Sequence, residues 1–139
     1  MLVTFSFAFA LISATVVIQA LFMSFGLHVF RWIAEHRPMA MVRYPTIAVV
    51  IWIGFLIIPI VLNVLLWATF YYVQAALPNF EESLYFSIVT FTTLGYGDVV
   101  LGVEWRLLAT FEAINGTIIF GWMTALIVAF IQRLWGRVR

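Results

Sequence analysis

The 139-residue sequence contains no cysteine and no lysine. Without cysteine, disulfides and thiolate metal sites are excluded. Charge is scarce as well: 9% of residues are charged, 65% are hydrophobic, and all seven basic residues are arginine. A soluble domain carries about 25% charged residues, so this composition belongs to an integral membrane protein with room for one domain. No His, Asp or Glu cluster at metal-ligand spacing lies in the apolar runs, and no Ser-His pair suggests itself. A membrane enzyme is therefore disfavoured. Neither a nucleic-acid partner nor an organic cofactor is expected.

What the chain has is long apolar runs. Three of them, Leu2 to Phe30, Thr46 to Ala76 and Leu107 to Leu134, reach the ~20 residues that a bilayer core requires. A fourth, Ser83 to Phe91, is too short to span. It must be re-entrant or interfacial, because irregular backbone is not tolerated against lipid at membrane depth. The first run has no basic n-region and is too long for the apolar core of a signal peptide, so a retained helix is expected.

Residues 92–98 read Thr-Thr-Leu-Gly-Tyr-Gly-Asp, between the short apolar segment and the last long one. Gly95 and Gly97 permit dihedrals closed to other residues, so successive carbonyls can turn toward one axis. With this string in this setting, the chain resembles the pore module of tetrameric potassium channels. The resemblance implies an all-α membrane protein with three transmembrane helices per chain. A re-entrant pore helix and a selectivity-filter loop would lie between the last two, and four chains would close a homotetrameric pore.

On that reading residues 1–44 form an N-terminal helix and its connection, and 45–139 form the pore domain. The outer helix is expected at 46–76, the pore helix at 81–92, the filter at 93–98 and the inner helix at 105–135. Carbonyls of Thr93, Leu94, Gly95 and Tyr96 would bind K⁺, with Gly97 shaping the loop. Asp98, Thr92, Tyr85 and Phe86 would support it, and Tyr85, Phe86 and Tyr96 could form an aromatic cuff or simply pack. Two positions depart from the family pattern. Leu94 stands where Val is commoner, and Val89 stands where some relatives carry a Glu that pairs with the filter Asp. Asp98 is thus expected to lack that partner.

Charge gives an orientation that does not depend on the motif. Cytoplasmic flanks collect arginine. Arg31, Arg37 and Arg43 lie between the first two runs, and Arg133, Arg137 and Arg139 follow the third. Glu81, Glu82, Asp98 and Glu104 face Arg106 alone in the remaining connection. The N-terminus and filter are expected outside, and the C-terminus in the cytoplasm, in a multi-pass protein of the plasma (inner) membrane. The four outer acids would concentrate cations around a symmetric pore, or outer loops merely avoid arginine.

Asn79 can cap the pore helix, with Glu81 and Glu82 in its first turn. In the last run Gly116 and Gly121 resemble the inner-helix glycines of bacterial channels. A glycine there serves either a hinge or close packing; hinge is favoured for Gly116 and packing for Gly121. Helical spacing from Gly116 gives a cavity stripe of Thr117, Phe120, Thr124, Val128 and Gln132, with Thr124 and Val128 at the inner constriction. Glu112 is an ionisable group inside a span, a functional candidate by default. It is expected to hydrogen-bond the pore helix through Ser87 or Thr90, with Asn115 as a candidate for the same network.

Pro59 should kink the second helix, and Asn63 could satisfy the carbonyl it frees. Part of the segment His28 to Tyr44, with Trp32, Met39 and Met41, is read as an interfacial amphipathic stretch, and His36 as a solvated loop residue. The first run has no ionisable residue from Leu2 to Leu27, so a voltage sensor is not supported. No attached ligand-sensing domain is expected; the channel would gate at the filter or inner bundle in response to lipid, tension, pH or ions, or a separate regulatory subunit would regulate it. The alternatives are a weakly selective cation channel and a non-conducting channel subunit.

Overall fold

The computed structural model describes residues 2–36 and 45–135 and consists there of four helices without a strand. They are α1 (Leu2–His36), α2 (Pro45–Val73), α3 (Phe80–Phe91) and α4 (Arg106–Trp135). Three of them, α1, α2 and α4, are long and apolar enough to cross a membrane. The twelve residues of α3 rise only ~18 Å, short of a ~30 Å hydrocarbon core. It packs between α2 and α4, while α1 packs on the same two helices.

α2 and α3 both stop without glycine. At the end of α2, Ala75 takes φ 52°. Its N–H donates to the Tyr72 carbonyl at 3.0 Å, and the Ala76 N–H donates to that of Tyr71 at 2.9 Å. This is the paired hydrogen-bond pattern of a Schellman cap, with alanine in the left-handed position. It ends α2 at Val73, three residues before the expected boundary at 76. At the start of α3, Asn79 caps as the sequence indicates: its Oδ1 accepts the Glu82 N–H at 2.8 Å.

The first helix differs from expectation at its far end. α1 runs on unbroken to His36, so residues 28–36 continue the spanning helix instead of forming a separate segment. His36 closes its last turn, with Nδ1 2.9 Å from the Trp32 carbonyl and its ring stacked on Trp32. The remainder of that expected stretch, with Arg37, Met39, Met41 and Arg43, lies outside the described residues, as do Arg137 and Arg139.

α1 is held to the bundle by polar and aromatic contacts together. Asn115 Nδ2 donates to Thr15 Oγ1 at 2.8 Å, and Gln19 Nε2 donates to Met123 Sδ at 3.2 Å. Phe7 sits edge-on to Phe70, and Phe30 edge-on to Phe130. Small polar residues of this kind join helices in lipid, where burial gives no hydrophobic drive.

α2 continues through Pro59, which is buried. Asn63 does not satisfy the carbonyl that Pro59 frees: both its amide atoms are buried without a partner among the described residues. The freed carbonyl belongs to Phe55, eight residues back. At 1.5 Å per residue that is ~12 Å along the axis, beyond the reach of an amide side chain.

Candidate functional site

The 92–98 loop grows directly out of the C-terminal cap of α3. Thr93 is left-handed, with φ 60°. Its N–H donates to the Thr90 carbonyl at 2.9 Å, and the Leu94 N–H donates to that of Val89 at 2.9 Å. This is a second Schellman cap, with threonine where glycine is usual. Gly95 adds a 3.2 Å bond to the same Val89 carbonyl. Thr92 Oγ1 and its N–H both donate to Ile88 O, at 2.7 and 3.0 Å. The last carbonyls of α3 thus fix the first residues of the loop.

Positive φ recurs at Thr93 (60°), Gly95 (58°) and Gly97 (80°), and not at Leu94 or Tyr96. Positive φ at every second position is a backbone pattern in which successive carbonyls can turn to a common side. The glycines were legible as the permissive positions; the left-handed Thr93 was not. A β-branched residue there is an outlier that persists only where its surroundings enforce it, at a cost of ~1–3 kcal/mol. The two cap bonds supply that enforcement. The side chains of the loop stay at the surface of the single chain, Leu94 55% and Tyr96 67% exposed.

Asp98 has a partner, contrary to expectation. Tyr85 Oη donates to its Oδ2 at 2.6 Å. The returning loop brings Asp98 over position 85, one turn before Val89, so a pairing residue at 89 is not needed. The Tyr85 hydroxyl holds the Asp98 carboxyl below the ordinary carboxylate range, and the same bond raises the Tyr85 phenol. The ionised form of Asp98 is the one stabilised, so the bond persists at neutral pH and is lost as pH falls through the lowered pKa. Tyr85→Phe should move the Asp98 midpoint upward, toward its ordinary value. Carboxyl-carbon NMR across an acid titration checks this, and an unmoved midpoint would refute it. Phe86 takes no part in this bond; it is buried edge-on against Tyr71, centroids 5.4 Å apart.

Behind the loop, Glu112 is fully buried. Ser87 Oγ donates to its Oε1 at 2.6 Å, and Tyr71 Oη donates to its Oε2 at 2.9 Å. The expected bond to α3 is present through Ser87. Asn115 instead serves α1. Tyr71 was missed from the sequence: it is one aromatic among many near the end of α2, and only the fold brings it to a residue 41 positions away.

One turn along α4, Gly116 lies against the end of α3. A Cβ at Gly116 would fall 2.0 Å from the Phe91 carbonyl oxygen. Close approach is therefore the visible role of Gly116. Gly121 has nothing within 4 Å of a Cβ in its own chain, so no neighbour within the chain uses it for close packing. Thr117, Gly121, Thr124, Val128 and Gln132 share an exposed face of α4. Phe120 is half-buried on the edge of that face, edge-on to Phe91.

Three apolar helices long enough to cross a membrane, with a short capped helix and a loop of recurrent positive φ between the last two, define a membrane protein. The family model described as an ion channel matches residues 59–133, more than half of the chain, from the middle of α2 to the end of α4. The chain belongs to this ion channel family. No curated protein and no solved structure matches it.

Proposed function

We propose that this protein is a potassium-selective channel that passes K⁺ passively through a carbonyl-lined filter. The alternation of handedness at Thr93, Gly95 and Gly97 carries this reading. It turns the carbonyls of Thr93, Leu94, Gly95 and Tyr96 toward one side, where they replace the water around a dehydrated cation. One chain contributes one strand of such a filter, so a fourfold homotetramer completes the ring. In it, α3 is the re-entrant pore helix with its C-terminal partial charge toward the permeating cation. The exposed face of α4 with Thr117, Thr124 and Val128 lines the path, and Tyr96 braces the loop against a neighbouring chain.

The arginine distribution supports a loop outside and a C-terminus in the cytoplasm, in a protein of the plasma membrane. Glu81, Glu82 and Glu104 then surround the outer mouth and attract cations. The filter Tyr that weakly selective relatives commonly lack is present as Tyr96.

The test is a reversal potential in a planar bilayer with K⁺ on one side and Na⁺ on the other. A value near the K⁺ equilibrium potential is expected. A value near zero with real current would identify a weakly selective cation channel, and absence of current from assembled tetramers under every stimulus would identify a non-conducting subunit.

A further inference from the structure

Glu112 has no part in lining a path, yet it is the only fully buried carboxyl among the described residues. It lies at 0% exposure and joins three helices. Its partners are neutral hydroxyls only. α2 carries no charged residue, α3 carries only Glu81 and Glu82 in its first turn, and the other charges of α4 sit at its ends as Arg106 and Arg133. A buried carboxyl without a cation is costly and is retained in a membrane span where it does a task.

The register shows the task. Ser87 meets Glu112, and Phe91, four residues later on α3, meets Gly116, four residues later on α4. Two contacts at matched spacing, one a hydrogen bond and one a backbone close approach, fix both the rotation and the axial position of α3 on α4. Tyr71 binds the second carboxyl oxygen from α2 and so pins the same point from the other side. Its ring also packs on Phe86 of α3. Ser87 immediately precedes Ile88, Val89 and Thr90, whose carbonyls hold the amides of residues 92–95.

We infer that Glu112 is a positioning residue for the 92–98 loop: with Tyr71 and Ser87 it forms a three-helix clamp that sets the register of α3, and through α3 the placement of the loop. The inference rests on the channel reading for its selectivity readout, and it has a second readout that does not.

The experiment uses the full chain, with the wild type, Glu112→Gln, Glu112→Ala, Tyr71→Phe and Ser87→Ala, and the double variant of Glu112→Gln with Ser87→Ala. Hydrogen exchange at the amides of Thr93, Leu94 and Gly95 is read in each, with the amides of α2 as reference. The K⁺/Na⁺ permeability ratio is read from reversal potentials. Loss of a buried hydrogen bond to a carboxyl should speed exchange at the three loop amides by at least about tenfold relative to α2. The permeability ratio should fall in parallel. Glu112→Gln, which keeps one acceptor, should be milder than Glu112→Ala. Ser87→Ala and Glu112→Gln should combine less than additively, because both alter the same Ser87–Glu112 contact. Loop amides that exchange as in the wild type, or additive effects of Glu112→Gln and Ser87→Ala, would overturn the clamp. If Glu112→Ala fails to fold, Tyr71→Phe and Ser87→Ala decide the matter by the same readings. A wild type that does not select K⁺ defeats the channel reading alone, since the exchange measurement still tests Glu112.

Discussion

Gly116→Ala is expected to abolish both assembly and current. The added methyl would stand 2.0 Å from the Phe91 carbonyl oxygen and 2.9 Å from its carbon, where ordinary contact begins near 3.4 Å. Overpacking against side chains costs ~1–3 kcal/mol because they can turn aside. Here the obstacle is backbone at the end of α3, and its neighbours Ile88, Val89 and Thr90 are already committed to the loop amides. The helices must part by more than an ångström, and the Glu112–Ser87 bond one turn away goes with them. Gly121→Ala is the matched control. Nothing stands within 4 Å of its Cβ in the chain, and alanine relieves ~1 kcal/mol of glycine's helix penalty, so the chain should fold as before. Size-exclusion profiles and thermal melting in detergent compare the two. A Gly116→Ala protein with wild-type melting and assembly, altered only in its opening, would mean that Gly116 is a hinge and not a contact.

The second large effect is expected at the loop. Gly95 and Gly97 have open space around a Cβ, yet φ of +58° and +80°. Alanine at either site meets no clash; it meets a backbone preference of ~1–2 kcal/mol against the left-handed region. In a fourfold ring the same penalty recurs in every chain and reaches ~4–8 kcal/mol per assembly, enough to drive the loop into another conformation. Gly97→Ala and Gly95→Ala should therefore fold and assemble normally while the reversal potential under K⁺/Na⁺ gradients moves to near zero. The contrast with Gly116→Ala is the useful part: one glycine is needed for space, the others for handedness. A wild-type reversal potential in Gly97→Ala would mean that the loop carbonyls do not hold the ion.

Much of this was legible because it is local. The three long helices follow from apolar length, and the start of α3 from Asn79 and the acids behind it. The permissive Gly95 and Gly97 follow from residue type. The ends of α2 and α3 were harder, because both use Schellman caps with Ala75 and Thr93 where glycine is the usual signal. Sequence placed the end of α2 at 76 for that reason. Asp98 was expected to lack a partner because Val89 stands where a known pattern supplies one, although a tyrosine one turn earlier does the work. Tyr71 could not be found at all: a hydroxyl among aromatics has no periodicity to mark it, and its partner is set by how α2 crosses α4.

The hydrogen bond between Thr15 and Asn115 also imposes an order of events during synthesis. The donor is made 100 residues after the acceptor, which at 5–20 residues per second is a wait of about 5–20 s. Throughout that interval α1 stands in or near the bilayer with its eventual partner still unmade. Thr15 is equipped for this, because its hydroxyl proton is already donated to the Ile12 carbonyl at 2.7 Å within its own helix. Only an oxygen lone pair is left over, a cheaper thing to leave in hydrocarbon than an unpaired donor. Gln19, a turn later, has no such internal bond and must wait for Met123. α1 packs on α2 beforehand, Phe7 against Phe70, but its polar contacts close only once α4 is made.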